Sequence, residues 1–240
     1  MAYEKEKENY EDKINFFTNV AHEIKTPLTL IKGPMENIMD QLDEVPSIKG
    51  SLELMSRNTD RLMHLANQLL DFRKIEMDGF RLNFIKTNIS ILLYEHYIRF
   101  QPLAEQRKIK INFKYAEDLY ALADDEALNK IFSNLMENAI KYADTKVSVE
   151  LRYVSDEKNN YKVVIANDGF IIPDERREII FESFHRMKET SNQAGTGIGL
   201  TLSRSLAEMH GGSLILGDPQ NKMNVFVLTL PVLPESDKML

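Results

Sequence analysis

An apolar heptad in the N-terminal part of the chain constrains the fold more than any other feature of the sequence. From Ile14 to Leu42, apolar side chains recur at alternating steps of three and four residues. This spacing predicts a long amphipathic helix whose apolar seam packs against other helices. A second amphipathic run lies between the turn DEVPSIKG and the segment MDGF, so the two runs are predicted to form an antiparallel hairpin. Two hairpins paired as a four-helix bundle would bury the seam, and we therefore expect a homodimer.

One histidine stands just outside this seam. The stretch NVAHEIKTPLTLIKGP, residues 19–34, places His22 beside Glu23 and one residue past the apolar stripe, so we expect His22 to face water. Pro27 lies inside the heptad and is predicted to kink the helix rather than end it, because its missing N–H leaves a carbonyl one turn back without its usual partner. A distorted backbone beside an exposed imidazole suggests chemistry, although an ordinary surface histidine fits this stretch equally well.

The composition excludes several classes of function. The net charge is −7 and no long basic run is present, so we expect no nucleic-acid binding. The chain has no cysteine, which excludes disulfides, thiolate metal sites and a cysteine nucleophile. No apolar stretch is long enough to span a membrane, and the charged start MAYEKEKENYEDK lacks a signal-peptide core. We therefore expect a soluble, cytoplasmic portion, with a start that reads as a helix continuing from an upstream segment.

From Phe84 onward the pattern changes to mixed α and β. The strand-like segments are IKINFKYA, LYALA, KVSVELRYV, YKVVIAN, GSLILG and NVFVLTLP. Helical runs are predicted at about 89–106, 125–142, 174–182 and 199–210. The order of these elements favours a mixed or antiparallel sheet with helices on one face. The predicted fold class is multidomain α and α+β, with a helical hairpin at residues 9–80 and an α/β sandwich at residues 84–234.

A polar stripe borders the core face of the helix predicted in DDEALNKIFSNLMENAIKYA. Asn134, Asn138 and Lys141 follow one another at steps of four and three along this border. An amide oxygen can complete the shell of a hydrated Mg²⁺, and a lysine can meet phosphate charge. A solvated helix edge with capping asparagines is the equally simple alternative.

Two further segments suit a nucleotide. GTGIGLTLSRSLAEMHGG places Gly195, Gly197 and Gly199 before a helix, where alternate glycines and free N–H groups let a phosphate approach. A polar loop that precedes these glycines is suited to act as a lid. In VVIANDGFIIP a strand ends at a polar tip, where Asn167 or Asp168 can read an adenine amino group, unless the tip is an ordinary turn.

Taken together, these segments resemble the transmitter core of a two-component sensor histidine kinase over nearly the whole chain. The matching motifs are HEIKTP (phosphoacceptor box), NKIFSNLMENAIKYA (Asn box), NDGFIIP (first glycine box), FESF (Phe box) and GTGIGL (second glycine box). In the Phe box, Phe181 and Phe184 are predicted to pack in the core or brace the lid. The second domain resembles the Bergerat-type ATP-binding sandwich shared with gyrase, the Hsp90 chaperones and MutL.

The resemblance implies a role for each box. His22 would accept the γ-phosphoryl group of ATP, and Glu23 would orient the imidazole and raise its nucleophilicity. Thr26 would orient a water in an implied phosphatase reaction. Asn138 would hold Mg²⁺. The implied nucleotide contacts are Asn138, Lys141, Tyr142, Asn167, Asp168, Gly169, Gly195, Thr196, Gly197, Gly199 and Leu200.

The resemblance also implies partners and a location. The phosphoryl group would pass from His22 to an aspartate of a response-regulator receiver, either separate or fused downstream as in a hybrid sensor. An upstream sensor domain is expected in the full-length protein, which we expect to be anchored in the bacterial inner membrane.

The first glycine box departs from the family pattern, usually D-x-G-x-G. Asn167 stands where the adenine-reading aspartate is expected, and Ile171 replaces the second glycine. An amide oxygen still accepts from an adenine amino group but lacks the assistance of a charge. Weaker nucleotide affinity or weaker nucleotide selectivity is therefore predicted.

Two other readings compete with a histidine kinase. A hydrolytic ATPase of the same fold would carry a glutamate base four residues before the metal-binding asparagine, where this chain has Asn134. Asn134 is therefore a candidate catalytic residue of phosphoryl transfer rather than a base for hydrolysis. A non-catalytic dimerisation and docking module is supported by the altered first glycine box alone.

Overall fold

The computed structural model describes residues 81–154, 159–187 and 195–233, together with single positions and short runs between residues 23 and 71. Every described position from 23 to 71 is helical, and the helix includes the buried Pro27 and described positions beyond it. The prediction that Pro27 does not end the helix is therefore confirmed. His22 lies outside the described residues, so its exposure stays a prediction.

The chain divides into two compact units. The first contains residues 1–76 and 194–198, and the second contains residues 77–193 and 199–240. The domain bounds predicted from the sequence, 9–80 and 84–234, stay predictions.

The described part of the second unit contains two sheets and three α-helices. Its elements are β1 (Ile85–Asn88), α1 (Ile89–Gln106), β2 (Lys110–Tyr115), β3 (Tyr120–Ala123), α2 (Asp125–Tyr142), β4 (Lys146–Tyr153), β5 (Asn160–Asn167), α3 (Gly199–Met209), β6 (Ser213–Gln220) and β7 (Met223–Pro231). The larger sheet has the strand order β2-β4-β5-β7-β6, and β1 pairs with β3 in a separate two-stranded sheet. Within the larger sheet β2 is parallel to β4 and the other pairs are antiparallel. The predicted mixed sheet is confirmed.

Alternation along the strands separates the two faces of the larger sheet. In β5 the inward residues Tyr161, Val163 and Ile165 are fully buried, and in β7 their partners Leu228 and Leu230 are buried as well. This face packs against α2 and α3, so the core lies between the sheet and one layer of helices.

Helix α2 begins where the sequence predicts and buries the predicted face. Asp124 caps it, since its Oδ1 accepts from the backbone N–H of Ala127 at 2.9 Å. The buried residues of the predicted core face are Leu128, Ile131, Phe132, Leu135 and Ala139. The polar stripe of this helix is therefore fixed along the border of the core.

The prediction of a helix at residues 174–182 is wrong. Two short 3₁₀ turns, Asp174–Arg176 and Ile179–Phe181, occupy the segment. Their backbone bonds span three residues, as from the Phe181 N–H to the Glu178 carbonyl at 3.0 Å. The hydroxyl of Thr201 donates to the Phe181 carbonyl at 2.7 Å, so a tertiary contact uses the acceptor that a continuing helix would need.

Candidate functional site

The polar edge of α2 meets the start of α3. Nδ2 of Asn134 donates to Oγ of Ser203 at 2.8 Å. A Cβ added to Gly199 would lie 2.2 Å from Oδ1 of Asn134, which is closer than real contacts allow. Only glycine therefore fits at residue 199 with Asn134 in this position. The Asn box and the second glycine box, far apart in sequence, are in direct contact.

The remaining predicted residues of the Asn box lie on the same helix edge. Asn138, Lys141 and Tyr142 are all half-buried. Nζ of Lys141 lies 4.8 Å from the ring centroid of Tyr142, so the ring and the cation stabilise each other at the end of the helix.

The second glycine box crosses the boundary between the two compact units. Gly195, Thr196 and Gly197 belong to the first unit, whereas Gly199 and Leu200 belong to the second. Gly197 has a φ of +74°, a conformation that favours glycine. The N–H of Ile198 donates to the Thr196 hydroxyl at 3.4 Å, and the Ile198 side chain is fully buried.

The first glycine box contains two adjacent polar residues with different surroundings. Oδ1 of Asp168 accepts from the backbone N–H groups of Asp144, Thr145 and Lys146 at 3.0, 3.0 and 2.9 Å. Oδ2 of Asp168 accepts from the Thr145 hydroxyl. Partial burial opposes ionisation, but these four donors outweigh it and lower the pKa of Asp168 to about 2. The Asp168 carboxylate is thereby committed to the turn between α2 and β4.

Asn167 is the last residue of β5 and is 3% exposed. By strand alternation it lies on the same inward face as Val163 and Ile165. Its Nδ2 has no hydrogen-bond partner among the described residues. Of the two residues that the sequence left open as readers of a base, Asn167 is the one on the helix-covered face.

Asn224 is a site residue that the sequence analysis missed. It pairs with Asn167 in the β5–β7 register and is itself buried. Its Oδ1 accepts from the N–H of Ile172 at 2.9 Å, and its Nδ2 donates to the carbonyl of Phe170 at 2.9 Å. The signal was present in NVFVLTLP, where Asn224 lies on a face of the strand whose other residues are apolar.

The family pattern has two glycines in the first glycine box, and the structure requires glycine at residue 169 but not at residue 171. A Cβ at Gly169 would lie 1.6 Å from the carbonyl oxygen of Tyr142, so close approach of the backbone demands glycine there. Ile171, in contrast, is not among the described residues with positive φ. The departure from the family pattern at Ile171 therefore requires no strained backbone.

The Phe box is held by α3. Phe181 is buried, and the guanidinium carbon of Arg204 lies 3.5 Å from its ring centroid. Arg204 also donates to the carbonyl of Leu214 at 3.0 Å and to Oε2 of Glu178 at 2.7 Å. The prediction that Phe181 packs in the core is confirmed, while Phe184 is half-buried with a φ of +69°.

Within the described part of the chain, no group of three or more His, Cys, Asp or Glu side chains is placed to hold a metal ion. A cation held by amide and phosphate oxygens needs no such group, and the half-buried Asn138 has an amide oxygen of the kind that could bind a hard cation such as Mg²⁺. None of the described helices is both long enough and apolar enough to cross a membrane.

The fold and the site define a nucleotide-binding α/β sandwich linked to a helical segment. Residues 12–78 match the family model of the His Kinase A (phospho-acceptor) domain. Residues 123–234 match the model of the histidine kinase-, DNA gyrase B- and HSP90-like ATPase. The two domains in this order make the chain a transmitter core of the two-component sensor histidine kinases, so it belongs to the protein histidine kinases.

Known relatives agree with this assignment. Hybrid signal transduction histidine kinase D of Dictyostelium discoideum is 31% identical over 99% of this chain, which spans 16% of that protein. Sensor protein SrrB of Staphylococcus aureus (strain MRSA252) is 29% identical over 91% of this chain and 38% of its own length. Histidine kinase ThkA, solved in complex with the response regulator protein TrrA, is 26% identical with a TM-score of 0.65, covering 98% of this chain and 67% of that one.

Proposed function

We propose that this chain transfers the γ-phosphoryl group of ATP to His22 and then passes it to an aspartate of a response-regulator receiver. The contact between Gly199 and Asn134 carries the proposal, because it joins the glycine box to the polar edge of α2. The free N–H groups at the start of α3 and the amide and ammonium groups of α2 are thereby brought to one place, as a polyphosphate requires.

In the first step, the far ring nitrogen of His22 forms a bond to the γ-phosphorus as the bond from that phosphorus to the β–γ bridging oxygen breaks. The leaving oxygen keeps the electron pair, and ADP departs. Glu23 would hold the near ring nitrogen and so fix the tautomer that leaves the far nitrogen free to attack. Positioning and electrostatics supply most of the catalysis in such a transfer.

The phosphates would be held by the two boxes around α2 and α3. Asn138 would ligate Mg²⁺ through its amide oxygen, and the ion would neutralise charge between the phosphates. Lys141 and Tyr142 would contact the phosphates from the helix edge. Gly195 and Gly197, with Thr196, Gly199 and Leu200, would form the lid and the helix start around them.

Hydrolysis of ATP by water is disfavoured by the surroundings of Asn134. Its amide donates to Ser203 and cannot accept a proton from water at neutral pH. With no carboxylate in this position, histidine remains the better acceptor. Asn134 would act by holding the start of α3 against α2.

A phosphatase reaction toward the phosphorylated receiver would use the phosphoacceptor helix. Thr26 is exposed on that helix, one turn from Glu23 and next to Pro27. In the proposed reaction the Thr26 hydroxyl would orient a water toward the receiver. Loss of regulator dephosphorylation in Thr26→Ala, with autophosphorylation kept, is the expected result.

The partners are proposed from the family and its relatives. A receiver domain, separate or fused downstream, would take the phosphoryl group, as the complex of ThkA with TrrA suggests. A homodimer would pair two hairpins as a four-helix bundle, and an upstream sensor would control it. In the full-length protein, this portion would lie on the cytoplasmic side of a membrane anchor.

Incubation with γ-labelled ATP and Mg²⁺ tests the proposal. We expect label on the wild-type chain that is acid-labile and alkali-stable, as phosphohistidine is, and none on His22→Gln. Equal label on both chains would overturn the assignment of His22. Bound ATP without any label on the wild type would overturn the autokinase and favour a docking role.

A further inference from the structure

The buried amide of Asn167 carries an N–H group for which the described part of the chain supplies no hydrogen-bond acceptor. The side chain is 3% exposed, and its Nδ2 has no hydrogen-bond partner among the described residues. Burying an amide N–H without an acceptor is unfavourable, so such groups are usually met by a ligand or by water. The described residues therefore leave this N–H group open to an acceptor on a bound ligand.

The polar neighbours of Asn167 do not supply that acceptor. Both ends of the Asn224 amide are bonded to the loop at Phe170 and Ile172. The Asp168 carboxylate is bonded to the turn between α2 and β4. A Cβ at Gly169 would come within 3.2 Å of Asn167 Nδ2, so a side chain at residue 169 would crowd the amide as well as the Tyr142 carbonyl.

An amide and a carboxylate read purine bases differently. A carboxylate only accepts hydrogen bonds, so it complements the amino group of a 6-aminopurine and opposes the carbonyl oxygen of a 6-oxopurine. An amide both accepts and donates. A half-turn of the Asn167 amide exchanges Oδ1 and Nδ2, so the same side chain can face N6–H and N1 of adenine or O6 and N1–H of a 6-oxopurine.

We propose that Asn167 makes this nucleotide site accept 6-oxopurine nucleotides, such as ITP and GTP, alongside ATP. This inference rests on the proposed function, because it requires Asn167 to lie at the base end of the ATP site. The replacement of the family's aspartate by Asn167 would then change the base specificity of the site. The unsatisfied nitrogen of Asn167 is the donor that O6 of such a base needs.

Isothermal titration of the chain with ATP and with ITP, each with Mg²⁺, tests the specificity directly. ITP is the cleaner probe, because it presents the 6-oxo edge without the additional amino group of guanine. We expect ITP to bind the wild type within tenfold of ATP. In Asn167→Asp we expect the affinity for ITP to fall at least tenfold relative to that for ATP. Asn112→Asp, on the exposed side of β2, is the matched control and should leave the ratio unchanged.

The inference would be overturned if the wild type bound ITP more than tenfold more weakly than ATP. It would also be overturned if a folded Asn167→Asp kept the wild-type ratio of ITP to ATP affinity. Thermal unfolding without nucleotide establishes whether Asn167→Asp folds. If this variant does not fold, the ratio of ITP to ATP affinity in the wild type alone tests the inference. If the wild type does not bind ATP, the proposed function is overturned. If it binds ATP but not ITP, only the inference about 6-oxopurine nucleotides is overturned.

Discussion

Gly199 lies so close to the side chain of Asn134 that an added methyl group at residue 199 would displace the Asn134 amide. A Cβ at residue 199 would lie 2.2 Å from Asn134 Oδ1, while Asn134 Nδ2 is bonded to Ser203. The first residue of α3 is thereby held against α2. The start of α3 and the polar edge of α2 are therefore in direct contact.

Gly199→Ala should therefore weaken ATP binding by at least tenfold. The added methyl forces the Asn134 amide aside and breaks its bond to Ser203, a loss of about 1 kcal/mol of stability as well. Isothermal titration with ATP and Mg²⁺ measures the effect on binding. Gly217→Ala is the matched control, because its Cβ would meet ordinary contacts at 3.5 Å or more. Equal ATP affinity in the two variants would contradict the prediction.

Asn224→Ala should destabilise the second unit by about 2 kcal/mol, since the buried hydrogen bond from the Ile172 N–H and the partly buried one to the Phe170 carbonyl are both lost. Urea unfolding measures the loss. The exposed Asn112→Ala serves as the control, with an expected change below about 0.5 kcal/mol. We also expect faster hydrogen exchange at Ile172. Exchange at wild-type rates would show that another contact holds the loop.

Asp168 should make the stability of the second unit depend on acid. Because its folded pKa is lowered to about 2, Asp168 stabilises the fold above its unfolded pKa near 4, and this contribution is lost as pH falls toward 2. Asp168→Ala should be less stable than the wild type at pH 7. The difference between the two, measured by urea unfolding from pH 7 to pH 2.5, should shrink below pH 4. A constant difference would exclude this carboxylate as its source.

His210 should have an effect over a higher pH range. Its Nε2 accepts from the N–H of Asp124 at 3.2 Å, and its Nδ1 lies 2.7 Å from the Leu206 carbonyl, so the ring is neutral with the proton on Nδ1. Burial lowers the pKa of His210 below 6.5. Stability is then full above pH 6.5 and falls as the pH drops below it, because the unfolded chain takes up the proton first.

His210→Asn tests this dependence. The variant should be less stable than the wild type at pH 8, but its stability should decline less between pH 7 and pH 5.5. His96, whose pKa is also lowered by burial, is present in both chains and cancels in the comparison. Parallel declines in thermal unfolding over this range would assign the acid sensitivity to other groups.

Local spacing was enough to predict most of the elements, because periodicity records which side of a helix or strand is apolar. The core face of α2, the six strands of the long apolar runs and the helix start at Gly199 all follow from such patterns. The short strand β1 was not predicted, because only Thr87 is buried in it and no apolar alternation marks the strand. The segment around Phe181 was wrongly predicted as a helix, because contacts from α3 override its helical pattern.

The sequence by itself determined the order of the boxes, the two-domain class and the polar edge of α2. Tertiary structure decided which of two adjacent polar residues faces the helices and which holds a turn. Asn167 and Asp168 are neighbours in the chain, but a strand turns successive side chains to opposite faces. Their partners lie at residues 144–146 and 224, and only the folded sheet brings those residues within hydrogen-bonding distance of the first glycine box.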